Sequence, residues 1–328
     1  MIHLQAIIEK NKGDCRTMNQ AIKNKKKIAI LIATYQGEEY LNQQLDSLLR
    51  QSNQDWTAYL HDDGSKDGTQ QIIKLYCTKY PDKFIEITGD SCGSAKHNFI
   101  FLTKKVESDF YMYCDQDDVW MENKICDTYK KMIEIDDPDI PCLVHTDLSV
   151  VAKDLSVISR SMAQYQGLKC NKQSLSRTLI QNVVTGCTMM INRCLRDKMI
   201  ISCNWDCIIM HDWWASLIAV AFGKIAYLNQ PTILYRQHGD NSVGAKRIFS
   251  LNNFINTINH SDKIKKSLED TRIQANEFNN VFHIKSNSPS VIYSNMGKYT
   301  KLKRIQIYMA NHFYKSSFAR NIGLFIWG

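Results

Sequence analysis

Long apolar runs are missing from this 328-residue chain. Its apolar runs, such as residues 28–33 and 322–327, fall far short of the roughly 18 residues that a membrane-spanning helix needs. The N-terminal stretch lacks the apolar centre of a signal peptide, so the chain is expected to stay in the cytoplasm. Paired cysteines are missing too. There are 11 cysteines, an odd number with no CxxC pair, and Cys203-x-x-x-Cys207 has no second pair to complete a zinc site. They read as reduced, mostly buried thiols. Acidic residues stop at Glu277, while Lys285, Lys298, Lys301, Lys303, Arg304, Lys315 and Arg320 follow it. With a net charge of +8, this basic tail points to an anionic surface, either membrane or nucleic acid. No internal repeat is visible.

What is present is a globular composition, 44% hydrophobic and 23% charged, with enough length for a large core. Residues 28–33 (Ile-Ala-Ile-Leu-Ile-Ala) form an apolar run of strand length, the mark of a parallel-sheet strand covered on both faces. Thr34-Tyr-Gln-Gly-Glu-Glu39 follows, then Tyr40, Leu41, Leu45, Leu48 and Leu49 at helical spacing. The second unit is Trp56-Thr-Ala-Tyr-Leu-His61, the loop Asp62-Asp-Gly-Ser-Lys-Asp-Gly-Thr69, and a helix that Thr69 can cap. A third strand spans 84–88, before a helix that includes residues 98–102. Strand and helix alternate over 27–135, which predicts a doubly wound, mainly parallel α/β sheet with flanking helices.

The fourth strand, residues 109–114, ends in Asp115-Gln-Asp-Asp-Val-Trp120, and Trp120 is expected to open the next helix. Three carboxylates therefore sit where ligands bind in open α/β sheets, outside the carboxyl ends of the strands. Crowded acids call for a positive partner, and a hard divalent cation bound through oxygen is the usual one. A solvated acidic turn, or Asp118 as a helix N-cap, is the alternative. An EF-hand is excluded: counted from Asp115, Trp120 falls where glycine is required and Cys126 where the bidentate glutamate belongs. Past Pro138 the pattern predicts a long strand at 142–151 and another at 183–191 with a glycine bulge. His211-Asp-Trp-Trp214 then leads an apolar helix ending at Gly223, followed by short strands at 225–228 and 232–235 around Pro231.

Five of these segments, in order, carry a resemblance. Ile32-Ala-Thr-Tyr-Gln-Gly37, Asp62-Asp-Gly-Ser-Lys-Asp-Gly-Thr69, Asp115-Gln-Asp-Asp-Val-Trp120, His211-Asp212 and Leu234-Tyr-Arg-Gln-His238 resemble the ordered motifs of family-2 inverting glycosyltransferases of the GT-A fold. The bacterial rhamnosyltransferase-like members that build surface polysaccharide are the nearest match. The resemblance covers about residues 27–244. It departs at Gln36, where asparagine is commoner. It divides the chain into an N-terminal arm (1–26), a GT-A domain (27–245) and a basic helical C-terminal region (246–328).

The resemblance implies a nucleoside-diphosphate sugar donor, with dTDP-rhamnose first and UDP-hexoses next, and Mn²⁺ or Mg²⁺ as cofactor. It places Asp117 on the metal, with His238 as a further ligand that favours Mn²⁺, and Asp115 on the ribose or a metal-bound water. It puts Thr34, Tyr35, Glu38, Asp63 and Asn98 around the donor, Asp63 accepting from the base imide N–H and Tyr35 packing beside the base. Asp212 becomes the general base that takes a proton from the saccharide acceptor's hydroxyl.

Two other readings fit less of the chain. A nucleotidyltransferase would show a glycine-rich basic phosphate loop after the first strand, where Tyr35-Gln-Gly-Glu-Glu39 is acidic instead. A non-enzymatic anionic-polymer binder leaves the acids at the strand ends unexplained, and no nucleic-acid motif appears. The tail, with Leu302, Ile305, Met309 and Phe313 among its cations, is expected to lie on anionic lipid near a lipid-linked acceptor. Packing on the catalytic domain, or on a second subunit in a homodimer, is the alternative.

Overall fold

The computed structural model describes residues 26–237 and 261–328. Most of the expected N-terminal arm, the start of the C-terminal region and His238 lie outside these residues. Within them nine strands form one sheet: β1 (Ile28–Thr34), β2 (Trp56–Asp62), β3 (Phe84–Glu86), β4 (Phe110–Cys114), β5 (Val119–Trp120), β6 (Cys142–Val151), β7 (Val157–Ser159), β8 (Met189–Asn192) and β9 (Lys224–Arg236). The spatial order is β3-β2-β1-β4-β8-β6-β9-β5, with β7 paired to β6. The pairs β3–β2, β2–β1 and β1–β4 are parallel, as the alternation predicts. Beyond β4 the sheet is mixed, since β8 runs antiparallel to both β4 and β6.

The apolar run of β1 divides by parity between two cores. Ile28, Ile30 and Ile32 pack on one face, with α1 (Leu41–Leu49), α2 (Thr69–Lys79) and α4 (Lys124–Ile135). Ala29 and Leu31 pack on the other, with α3 (Ala95–Lys105), α6 (Leu175–Ile180) and α8 (His211–Phe222). Two-period alternation along a strand buried on both sides requires this division. Because chain order reverses between β1 and β4, the crevice at their carboxyl ends is a topological switch point.

Several local expectations change. Trp120 does not open a helix: Val119 and Trp120 pair with Leu234 and Ile233 of β9, and α4 begins only at Lys124. Asp118 is therefore no N-cap. Residues 186–188 form a 3-10 turn before β8 rather than a bulged strand. The strands around Pro231 are one strand, β9, which keeps its pairing by register shifts against β6 near Asp147. A proline lacks the N–H that a continuous ladder needs, and a bulge supplies its place. Thr69 is the first residue of α2, whose N-cap is Gly68. Nine described cysteines carry free thiols; Cys126 is disulfide-bonded, against the expectation of reduced thiols throughout.

The tail follows the packing alternative. Helices α9 (Ser261–Phe282), α10 (Pro289–Ser294), α11 (Lys301–Ala310) and α12 (Phe318–Trp327) bury Phe278, Tyr293, Tyr308, Phe313 and Leu324 in the same core as Trp214 and Leu217. Each such side chain contributes about 1.5–3 kcal/mol on burial, so the last thirty residues cannot be removed without exposing that core. Phe313, expected on the apolar surface of the tail helix, is a core residue. Leu302 and Met309 do remain on the surface, at 77% and 55% exposure.

Candidate active site

The loop after β1 and the loop after β2 are stitched together. Gly37 N donates to Thr69 Oγ1 (2.8 Å), Gln36 N to Ser65 Oγ (2.8 Å), Glu38 N to Asp67 Oδ2 (3.0 Å) and Gly68 N back to Glu38 Oε2 (2.8 Å). Gln36 holds φ at 51°, a left-handed conformation that asparagine adopts more readily than glutamine. That accounts physically for the residue commoner at this place. Glu38, expected at the donor, uses one carboxylate oxygen to tie the two loops. Thr34 is buried, with its hydroxyl on Asp62 Oδ1 (3.1 Å) and the His61 carbonyl (3.2 Å). Asn98 is buried as well. Its amide donates to the His61 carbonyl (3.1 Å) and the Thr34 carbonyl (3.5 Å), and its Oδ1 meets His61 Nδ1 (2.9 Å). Both residues brace the ends of β1 and β2 from below.

Asp63 and Tyr35 are placed differently. Asp63 Oδ1 accepts from Ser91 Oγ (2.8 Å), Cys92 N and Gly93 N (3.0 Å), which holds the carboxylate in one orientation. The Tyr35 ring is 56% exposed, while its backbone is clamped by the Gln116 amide. Tyr35 N donates to Gln116 Oε1 (2.9 Å), and Gln116 Nε2 donates to the Tyr35 carbonyl (2.7 Å). A Cβ on Gly37 would lie 2.3 Å from Gln116 Oε1, so glycine is what lets the acidic turn approach.

The acidic turn is anchored by a residue to which the sequence reading assigned no role. Arg236, at the end of β9, donates its N–H to Asp118 Oδ1 (3.1 Å) and Nε to the Asp117 carbonyl (2.8 Å), and lies 4.6 Å over the Tyr40 ring. Asp115, Asp118 and Cys187 each bring a ligand atom within 4.8 Å of the others. Asp118 is fully buried, and its Oδ2 has no protein partner. Burial first, then the charge of Asp117, pushes the Asp115 carboxyl up to about 7. Burial pushes Asp118 well above the usual carboxylate range, Asp117 and Asp115 adding to it. Beneath the turn Lys124 is buried with Nζ 4.5 Å over the Trp120 ring, and burial lowers it to about 8. Crowded, underneutralised carboxylates with an orphaned oxygen suit a divalent cation bound through oxygen. The Cys187 thiol, pushed up by burial, stays protonated.

Asp212 faces this turn from the first turn of α8. It does not cap the helix, whose N-cap is Met210. Asn182 Nδ2 donates to Asp212 Oδ1 (3.1 Å), and burial pushes the carboxyl up to about 7. The charge of Asp212 in turn raises Asp115. His211 belongs to the core, its ring tilted against Phe99 (4.5 Å between ring centroids) and Tyr113 (5.0 Å); burial lowers it to about 3, so it is neutral. Trp214 is core, and Trp213 is held by Nε1 on the Thr178 carbonyl (2.5 Å). A Cβ on Gly186 would lie 2.8 Å from His211 Nε2 and 3.7 Å from Asp212 Oδ2. The His211 ring is buried against Phe99 and Tyr113 and has no room to yield, so Gly186→Ala must displace the start of α8. It is expected to lower kcat by about 10- to 100-fold, since displacement of ~1 Å at a reacting group has that order of effect, with donor affinity unchanged. Equal losses in both would place Gly186 in the donor site.

Comparison with known proteins joins these observations. The sequence profile described as "Glycosyl transferase family 2" matches residues 29–193. The chain belongs to that family. This family-2 chain is 30% identical over 229 residues to the dTDP-rhamnosyl transferase RfbG of Shigella flexneri, covering 66% of this chain and 75% of that protein. It spans about half (52%) of two uncharacterized Rickettsia glycosyltransferases. Among solved structures, the mannosyltransferase PcManGT from Pyrobaculum calidifontis, in complex with GDP-Man and Mn²⁺, superposes with TM-score 0.51 at 11% identity, over 98% of this chain and 88% of that one. Residues 1–349 of TarS from Staphylococcus aureus superpose with TM-score 0.50 at 16% identity, over 87% and 78%. These likenesses show the GT-A fold. The family-2 transferase is thus an inverting hexosyltransferase that takes a nucleotide-sugar donor.

Proposed function

We propose that this enzyme transfers L-rhamnose from dTDP-rhamnose to a growing cell-surface polysaccharide. The observation that carries the reaction type is Asp212, a desolvated carboxylate oriented by Asn182 and facing the acidic turn. The donor rests on the likeness to the Shigella dTDP-rhamnosyl transferase. In this reading Asp63 accepts from the thymine imide, and the exposed Tyr35 ring covers the base. Asp115 meets the ribose or a metal-bound water, and Asp117 is the ligand of Mn²⁺ or Mg²⁺, with His238 added. The ion, when bound, supplies Lewis-acid stabilisation to the departing diphosphate. Asp212 takes the acceptor hydroxyl's proton as that oxygen attacks the anomeric carbon from the face opposite the diphosphate. Release of nucleoside diphosphate is the test. With Mn²⁺ present, dTDP-rhamnose should be turned over faster than any UDP-hexose. A preference for a UDP-hexose replaces the donor, and no release from any nucleotide sugar ends the reading.

The same proposal includes a lipid-linked acceptor reached at an anionic membrane surface. Lys298, Lys301 and Lys303 are exposed around Leu302 and Met309 of α11, an arrangement suited to a lipid interface. No helix among the described residues is long and apolar enough to cross a membrane, so contact would be peripheral. Each cation near such a surface contributes about 1 kcal/mol. The full chain should therefore sediment with phosphatidylglycerol vesicles at low salt and release at high salt. The double variant Leu302→Ser, Met309→Ser should sediment less. Indifference of the full chain to these vesicles would leave the face to a second subunit.

A further inference from the structure

Away from the donor crevice, a cleft lies between α6 and the segment that joins α11 to α12. Lys169, Lys172, Arg177, Gln173, Tyr314 and Ser316 line it, and no acidic residue does. None of its three cations forms an ion pair with an acid among the described residues. The charge behind the cleft has the same sign. Lys315 precedes Ser316 and Arg320 follows it, Arg320 Nη1 is buried without a partner, and burial lowers both groups. The tail is fixed at this place. Ser316 N donates to Gln181 Oε1 (2.7 Å), and Lys169 N donates to Ser316 Oγ (3.2 Å).

One wall of the cleft is also the support of the base. Thr178 holds Trp213 through its carbonyl, and Asn182, next to Gln181, holds Asp212. The cleft therefore shares a segment with the support of Asp212, and no residue of the loops at the ends of β1 and β2 lines it. Unneutralised cations gathered at a concave site repel one another, and an anion with several acceptor oxygens relieves this through charge-assisted hydrogen bonds. Resting on the transferase reading above, we propose that this cleft binds a phosphate or diphosphate group carried by the acceptor, and so places the acceptor hydroxyl at Asp212. Such a group can come from the diphosphate of a polyprenyl carrier or from a phosphodiester in the acceptor polymer.

Inorganic pyrophosphate is the probe, titrated calorimetrically into the full chain at low salt with EDTA, which leaves the acidic donor turn without a cation to attract it. One equivalent should bind. The double variant Lys172→Gln, Arg177→Gln should bind at least about tenfold more weakly, the scale of losing hydrogen bonds to charged groups, while its donor hydrolysis stays at the wild-type rate, which also reports that it is folded. Asp117→Asn should bind pyrophosphate like wild type, separating this cleft from the donor site. Competition by a detergent-solubilised polyprenyl diphosphate or by a phosphodiester-linked polyol oligomer then identifies the source. Absence of pyrophosphate binding, equal binding by the double variant, or competition by neither ligand overturns the proposal. Failure to hydrolyse any nucleotide sugar would overturn the transferase reading without changing the pyrophosphate titration.

Discussion

Asp212→Asn should lower kcat by about 10²–10⁴-fold, the usual contribution of a general base, with donor affinity nearly unchanged. The amide keeps the volume of the carboxylate and can still contact Asn182, so packing at the start of α8 survives. It cannot accept the acceptor's proton. A group lost only in the transition state lowers kcat and kcat/KM together. The pH profile provides a second reading of the same residue. Burial holds the Asp212 carboxyl at about 7, and only its ionised form is a base. Activity measured as kcat/KM should therefore be full above that pH and lost as pH falls through about 7. An unperturbed carboxylate would place the limb near pH 4. A variant that loses donor affinity in step with kcat would make Asp212 a binding residue, and a limb near pH 4 would show that water reaches it in the working enzyme.

Asp117→Asn should abolish measurable turnover and most metal-dependent donor binding. A neutral amide is a poor substitute for an anionic oxygen on a hard divalent ion. The several kcal/mol that such an ion contributes to a developing diphosphate correspond to at least about a hundredfold, at 1.36 kcal/mol per factor of ten. Titrating Mn²⁺ while following donor binding measures the ligand directly. Asp118→Asn makes the contrast, since Asp118 already accepts from Arg236 N while its other oxygen is orphaned. If Asp118→Asn loses Mn²⁺ and Asp117→Asn keeps it, the ion belongs to the deeper group of Asp115, Asp118 and Cys187.

Much of the candidate site could be seen in the sequence because most of its residues lie in short loops at strand ends. A parallel sheet brings those loops to one edge by topology alone. An apolar run such as 28–33 can sit only between two covered faces, so the parity split of β1 followed from composition and spacing. The acids at Asp63, Asp115, Asp117 and Asp212 were visible for the same reason, each lying within about three residues of a predicted element boundary.

What the tertiary structure alone decided depends on contacts between residues far apart in the chain. Arg236 reaches the acidic turn across 118 positions and Asn182 reaches Asp212 across 30; Arg236 lies in a motif that gave it no role, and Asn182 has no local signal beyond being polar. The resemblance puts Asn98 and Thr34 around the donor, and only the structure shows that both side chains hydrogen-bond to the ends of β1 and β2. Trp120 is in a strand because β9 offered it a partner, which no local periodicity could reveal. Phe313 illustrates the same limit in the tail. Apolar spacing shows that a helical segment has a face to cover, but whether lipid or protein covers it depends on the surface within reach, and here Tyr293 and Tyr308 supply that surface.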